Sequence, residues 1–344
     1  MQRYEHGGDI YGNRVLLDFS VNTNPLGLLE EVNQALVLRV DEFANYPDPK
    51  CRELTAAISR HENVPEDWIL CGNGAADLIY RLCYAAKPKK ALIPVPAFSE
   101  YERALSQAGA RFLTHALSSE NGFALTDGIS DRLTPDLDVL FLCHPNNPTG
   151  RLIPPELMEK IMLRAHQNGI LIVVDECFLD FTDGLSAKRY LLGHSNLVVL
   201  KAFTKMYSMA GLRLGYLLTS DGELLKRIDL AGQCWSVSVP AQIAGVAALG
   251  CDGWEERTRR LLSAERRFLS EGLAKLGIAV FPSDANFFLF RSEKPLYELL
   301  RQRGILIRPC ENFEGLDGTY YRIGAKTRAE NTRLIEAVKE IIHG

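Results

Sequence analysis

At 344 residues the chain is long enough for one large core, or for a large domain with a smaller one beside it. Apolar residues make up 47% and charged residues 24%, ordinary globular proportions that exclude a disordered or fibrous class. The 39 basic and 43 acidic residues leave a formal net charge of -4 without any block of like charge, so nucleic-acid binding has no electrostatic support.

The opening segment, MQRYEHGGDIYGNR, is polar and lacks the apolar centre of a secretory signal. The longest apolar runs, such as Ile170 to Val174, are far too short to span a bilayer, so a cytoplasmic protein with no membrane partner is expected. From about Cys71 to about Ser220, short apolar or β-branched runs alternate with helical patterns. The runs are Lys90 to Val95, Val139 to Cys143, Ile170 to Val174, Leu197 to Leu200 and Leu214 to Leu218. Such runs read as strands buried on both faces, hence an α/β fold with a mostly parallel sheet flanked by helices. Pro154 and Pro155 open a helical pattern through Leu157, Ile161 and Ala165 that Gly169 stops, which makes a βαβ crossover. After about Trp235 come a charged helical stretch from Gly253 to Leu276, strands at Ile278 to Phe281 and Phe287 to Arg291, and a closing helix from Ala329 to Ile342. These predict a smaller α+β domain. The expected division is 1–40 as an N-terminal arm and part of the small domain, 41–240 as the large domain, and 241–344 as the C-terminal small domain.

The eight cysteines, Cys51, Cys71, Cys83, Cys143, Cys177, Cys234, Cys251 and Cys310, form no CxxC pair. Reduced, mostly buried thiols and no metal site are expected.

Four runs fall where strands should end, and open α/β sheets bind ligands at the carboxyl ends of their strands. Cys71 to Asp77 (CGNGAAD) enters a helix, whose free N–H groups can hold a phosphate, although a plain turn has the same look. HPNNPTG at 144 to 150 puts the Asn147 amide at a strand terminus, where it can donate to a phenolate oxygen or simply shape a turn. Asp175 follows four apolar residues, and a carboxylate there needs a partner, either a protonated pyridine nitrogen or backbone N–H groups. In the run Lys201 to Gly215, Lys205 follows a strand and Arg213 comes shortly after. Burial and nearby positive charge favour the neutral amine that imine formation requires, and an arginine can clamp a phosphate. Lys201 is the rival lysine, but it abuts the strand and is expected to point to solvent.

Together these runs supply what pyridoxal 5'-phosphate needs from a protein. HPNNPTG, the Asp175 strand and TKxxxxAGLRLGY, in this order over nearly the whole chain, resemble the class I/II aminotransferase family, fold type I of the pyridoxal-phosphate enzymes. The resemblance implies that Lys205 is the Schiff-base lysine and proton shuttle, Asp175 the partner of the pyridinium nitrogen, and Asn147 a donor to the ring oxygen. It further implies Phe98 stacked on the ring and Gly74, Ala75, Thr204 and Arg213 around the cofactor phosphate. Tyr46, in YPDP, would reach the cofactor phosphate of a neighbouring subunit, which makes a homodimer the expected assembly. Arg322 matches the family's arginine for the substrate carboxylate, and Asn286 lies on the substrate side. Ala202 stands where the family usually carries a hydroxyl, which removes one phosphate hydrogen bond.

Two branches that take phosphorylated substrates look similar to this chain: histidinol-phosphate aminotransferases and the L-threonine-O-3-phosphate decarboxylases of cobalamin synthesis. His6-Gly7-Gly8 followed by DFSVNTNPLG at 18 to 27, PAFSEYERAL at 96 to 105, DECFLDF at 175 to 181 and ILIRPCENFEGL at 305 to 316 resemble the decarboxylases. Phe178 stands where aminotransferases commonly have a tyrosine bonded to the cofactor oxygen. On this resemblance His6 and Gly8, with Asn22 or Asn24 and with Arg308 nearby, line the place of the substrate phosphate. A phosphorylated amino acid is then the expected small-molecule partner. A non-catalytic regulatory module is the remaining alternative, against which stands the lack of a helix-turn-helix or basic segment.

Overall fold

The structure is a computed structural model and describes residues 6–11 and 15–344. Its centre is a seven-stranded sheet. From edge to edge the strands are Ile69–Gly72, Gly215–Leu218, Leu197–Ala202, Leu171–Asp175, Val139–Cys143, Lys90–Val95 and Arg111–Ala116. Neighbours run parallel, except that Gly215–Leu218 is antiparallel to both of its partners.

Alternate residues of the central strands enter two different cores. Ala91, Ile93, Phe141, Val173 and Leu200 pack with Leu78, Leu82, Tyr101 and Ile228 of the helices on one face. Leu92, Leu140, Ile172, Val174 and Val199 pack with Ile161, Ala165, Ala241 and Ala244 on the other. A side chain of this kind gains about 1.5–3 kcal/mol on full burial, so the sheet is held as a sandwiched layer. The crossover helix Pro155–Gln167 begins at proline and ends before Gly169, as the sequence pattern anticipates.

Two strands of this large sheet escaped the apolar-run reading, as did Tyr320–Gly324 and three two-residue strands outside it. Arg111–Ala116 is an edge strand whose residues alternate between exposed and half-buried, and Ile69–Gly72 is only 4 residues long. The C-terminal part forms a four-stranded antiparallel sheet in the order Arg308–Pro309, Tyr320–Gly324, Phe287–Arg291, Ala279–Val280. The last of these is 2 residues long where four were anticipated, and the long helix covers Trp254–Lys275. Leu17–Asp18 pairs in parallel with Ile305–Leu306, tying the N-terminal arm to the C-terminal part. Among the described residues no helix is long and apolar enough to cross a membrane. All eight cysteines are free thiols.

Lys201 corrects the sequence reading: it is buried, not turned to solvent. Its strand is covered on both faces, and every residue from Leu197 to Lys201 is buried. Its ammonium is instead paired with Glu62 at 3.0 Å and Asp180 at 2.8 Å. Glu62 also takes Lys188 at 2.6 Å and the Tyr216 hydroxyl. Burial alone would raise the Glu62 carboxyl, but Lys201, Lys188 and Tyr216 outweigh it and hold the group well below the usual carboxylate range. A depressed folded value means that the stabilisation is intact at neutral pH and fades as acid protonates the group. Lys201→Met, which strands buried carboxylates, is expected to cost about 3–5 kcal/mol in denaturant unfolding at neutral pH, and a cost under about 1 kcal/mol would show that the cluster relaxes.

Candidate active site

The parallel strands end together, and a cavity of about 310 Å³ opens over their carboxyl ends. Its lining draws on Cys143, Asp175 and Ala202 from the strand ends, on Ala75 and Ala76 from the start of a helix, and on Arg308 and Arg322 from the smaller sheet.

Lys205 sits in the cavity wall on the single turn Phe203–Met206 that follows its strand. The turn is braced from behind. The Asn24 backbone N–H donates to the Lys205 carbonyl at 3.0 Å, and its side-chain amide donates to Met206 O at 2.9 Å and Thr258 Oγ1 at 2.8 Å. Asn24 therefore supports the lysine turn and does not line the cavity. Burial, then the Arg322 and Arg213 guanidinium groups, push the Lys205 amine down to about 8 against the opposing pull of Cys177 and Asp175. A substantial neutral fraction near physiological pH suits it to attack an aldehyde.

Asp175 is buried, with Oδ2 accepting from the Tyr101 hydroxyl at 2.6 Å and Oδ1 from the Cys177 N–H at 3.0 Å. Two neutral donors leave the carboxylate charge uncompensated and aimed at the cavity, as a cationic ring nitrogen would require. Tyr101 was not anticipated. The only signal was its place in PAFSEYERAL, because a fully buried tyrosine needs a partner for its hydroxyl.

The anion cradle forms where the Gly74–Ala86 helix begins. Gly74 has φ +82°, and a Cβ there would stand 2.7 Å from Arg213 Nη2. Arg213 itself holds a left-handed backbone, and its Nη1 donates to Ala210 O at 3.1 Å. A Cβ on Gly215 would lie 2.6 Å from the Ala75 nitrogen, so glycine at both places keeps the helix N-terminus open to the guanidinium. Thr204 and Ala202 complete this end, and Ala202 brings no hydroxyl.

At the opposite end Arg322 donates to Asn147 Oδ1 and to Ser20 O, the latter at 3.0 Å. Because Oδ1 is taken, the Asn147 NH2 is the part left to act as a donor. Arg308 and Arg322 are directly opposed in register on neighbouring strands, and both line the cavity. Like charges so placed are destabilising unless an anion joins them. Burial first, with Arg308 adding to it, lowers Arg322 to about 10, while Cys310 and Asp18 oppose. Asn22 Oδ1, Asn286 Oδ1 and Arg322 Nε are buried without a hydrogen-bond partner among the described residues. Asn22 and Arg322 line the cavity, and unspent buried polar atoms there are consistent with a ligand site.

The remaining anticipated residues are placed as follows. Phe98 and His6 line the cavity, with their rings 5.8 Å apart. Gly8 stands behind them, its N–H donating to Ser20 Oγ at 2.8 Å. Asn286 lies behind Asn22 and donates to its carbonyl at 3.0 Å. Tyr46 is outside the cavity of its own chain, 79% exposed and stacked on Trp235 at 4.6 Å. Cys143, Cys177, Ser20 and Glu100 also line the site and were not anticipated as site residues.

Residues 14–338 match the family model described as aminotransferase class I and II. The chain is 40% identical to the threonine-phosphate decarboxylase of Salmonella typhimurium over 96% of its own length and 92% of that protein. Among solved structures it superposes on the histidinol-phosphate aminotransferase from Clostridium acetobutylicum with a TM-score of 0.89 and 30% identity, covering 95% of this chain and 99% of that one. The L-threonine-O-3-phosphate decarboxylase from Porphyromonas gingivalis gives a TM-score of 0.84 and 26% identity, covering 96% and 100%. With a buried amine of lowered basicity, a carboxylate aimed at the cavity and an anion cradle at a helix start, the chain belongs to the class I and II aminotransferase family of pyridoxal-phosphate enzymes.

Proposed function

We propose that the protein decarboxylates L-threonine O-3-phosphate to 1-amino-2-propanol phosphate, releasing carbon dioxide. The observation that carries the reading is the opposed pair Arg308 and Arg322, which together with Arg213 gives one cavity three guanidinium groups. Arg213 serves the cofactor phosphate with Gly74, Ala75 and Thr204, which leaves two arginines for a substrate that brings a carboxylate and a phosphate. The likeness to the Salmonella protein supports the choice of reaction, and so does Phe178, which cannot supply a tyrosine's hydroxyl bond.

When bound, pyridoxal phosphate supplies an electron sink for the bonds of the substrate's α-carbon. Lys205 would hold the cofactor through its amine and would be the group placed to deliver a proton to the α-carbon where the carboxylate is lost. Asp175, held by Tyr101, would keep the ring nitrogen protonated, Asn147 would donate to the ring oxygen, and Phe98 would pack on the ring. Arg322 would hold the carboxylate end, and His6, Asn22 and Arg308 the phosphate end, while Gly8 and Asn286, which do not line the cavity, brace Ser20 and Asn22 from behind. Fixing both ends would set the rotation about the α-carbon and so select which of its bonds is broken.

We read the assembly as a cytoplasmic homodimer. Val37, Leu38, Val40, Phe43 and Tyr46 leave a run of exposed apolar side chains, Leu38 being 84% exposed, and Tyr46 with Trp235 extends it. Such a patch supports contact with a second copy, to whose cofactor Tyr46 would reach. The Leu17–Asp18 pairing supports an arm that belongs with the C-terminal part. A boundary at 240 would cut the helix Val239–Leu249, whose Ala241 and Ala244 pack on the large sheet, so we place the division after that helix.

The second reading, transamination of histidinol phosphate, is favoured by the superposition on the Clostridium enzyme. Carbon dioxide and amino-propanol phosphate formed from L-threonine O-3-phosphate without any keto acid are expected. Glutamate formation from histidinol phosphate and 2-oxoglutarate, with no carbon dioxide release, would replace the first reading by the second. Lys205→Ala should lose both the absorbance of lysine-bound cofactor and turnover, and retained turnover would refute the lysine's role. Cofactor capture by the stripped protein should quicken with pH around a midpoint near 8, because only the neutral amine attacks. Arg322→Leu removes one depressing charge and should move that midpoint upward; a wild-type midpoint near the ordinary lysine value of 10.5 would contradict the assignment.

A further inference from the structure

Glu100 is a buried carboxylate in the wall of a cavity otherwise built for anions. An ionised carboxylate there would repel a phosphorylated substrate unless its charge were engaged. Both oxygens are engaged. Oε2 accepts from the Tyr80 hydroxyl at 2.6 Å, and Oε1 lies 3.0 Å from His6 Nε2, with Arg103 Nη1 at 3.8 Å. His6 is the only one of these partners that also lines the cavity, and its ring leans on Phe98. The segment is fastened a second time two residues on, where the Gly8 N–H donates to Ser20 Oγ, whose own residue accepts from Arg322 through its carbonyl. Gly7 between them packs so closely on the Ser20 carbonyl that a Cβ would collide with it. The N-terminal strap therefore crosses the cavity mouth from the Arg322 side to the Ser99–Gln107 helix that carries Glu100.

We propose that Glu100 is a positioning residue that holds the His6 ring across the cavity mouth as an imidazolium, with Nε2–H donated to the carboxylate and Nδ1–H donated to the phosphate of the bound substrate. The inference rests on the reading that the substrate is a phosphorylated amino compound. Tyr80 fixes the carboxylate from behind, so the ring's orientation is set before substrate arrives, which lowers the ordering cost of binding.

The test compares wild-type holoenzyme with Glu100→Gln, His6→Ala and the double variant in L-threonine O-3-phosphate turnover. Glu100→Gln keeps the side chain's shape and is expected to raise KM about tenfold, the scale of one charge-assisted hydrogen bond, with kcat and the absorbance of lysine-bound cofactor unchanged. His6→Ala should raise KM further, because it also exposes the carboxylate to the phosphate. The double variant should then bind better than His6→Ala alone, since the repelling charge is gone. An unchanged KM in Glu100→Gln, additive effects in the double variant, or a fall in kcat and cofactor absorbance alongside KM would each overturn the proposal. If the wild type turns over histidinol phosphate instead, the decarboxylase reading falls, and the same four proteins assayed on that phosphate monoester decide for or against Glu100 by the same pattern.

Discussion

A sheet covered by helices on both faces confines polar chemistry to its ends, and the architecture of this protein follows from that constraint. Along Leu171–Asp175 and Val139–Cys143 the interior residues are apolar on both sides, and the first ionisable side chain is Asp175 at the last position. Because the inner strands run parallel, Cys143, Asp175 and Ala202 finish on the same rim, and the loops and turns that follow bring Asn147, Phe178 and Lys205 to one cavity. The exception within a strand is Lys201, and it survives only by meeting Glu62 and Asp180.

Much of the large sheet could be read from the sequence because this burial leaves continuous apolar runs, and Lys90–Val95 and Val139–Cys143 have the anticipated limits. Arg111–Ala116 could not, since an edge strand half open to water carries no such run. The site divides along a similar line. Residues that act directly after a strand, such as Asp175 and Lys205, are marked by their position in the chain. Partners brought from far away are not: Tyr101 meets Asp175 across 74 positions and His6 meets Glu100 across 94, and no local pattern couples them. Lys201 was misjudged for the related reason that proximity to a strand end says nothing about the carboxylates that wait beneath it.

The charge balance of the cavity is one-sided. Lys205, Arg213, Arg308 and Arg322 face Asp175 and the already engaged Glu100. Burial first, and after it the neighbouring arginines, lowers the values of Lys205 and Arg322. The same crowding keeps the amine reactive and makes anions welcome, so a cofactor phosphate and a doubly anionic substrate would relieve the strain they find. Repulsion among these cations would be offset by ligands that bring negative charge, which would stabilise the fold in proportion to their affinity.

The contact between Asn147 and Arg322 ties the cofactor end of this arrangement to the substrate end. With Phe178 bringing no hydroxyl, the proposed bond to the ring oxygen falls to the Asn147 amide alone, and an amide can donate only if its oxygen points away. Arg322 fixes that orientation by occupying Oδ1. The same guanidinium is braced by the Ser20 carbonyl, on the residue whose hydroxyl receives the Gly8 N–H of the N-terminal strap. A chain of contacts thus runs from the strap through Ser20 and Arg322 to Asn147. Substrate anions that settle against Arg322 and Arg308 act on the residue that would tune the ring, so in the proposed roles recognition of the substrate's ends and control of the cofactor's electronics share one hydrogen-bonded path.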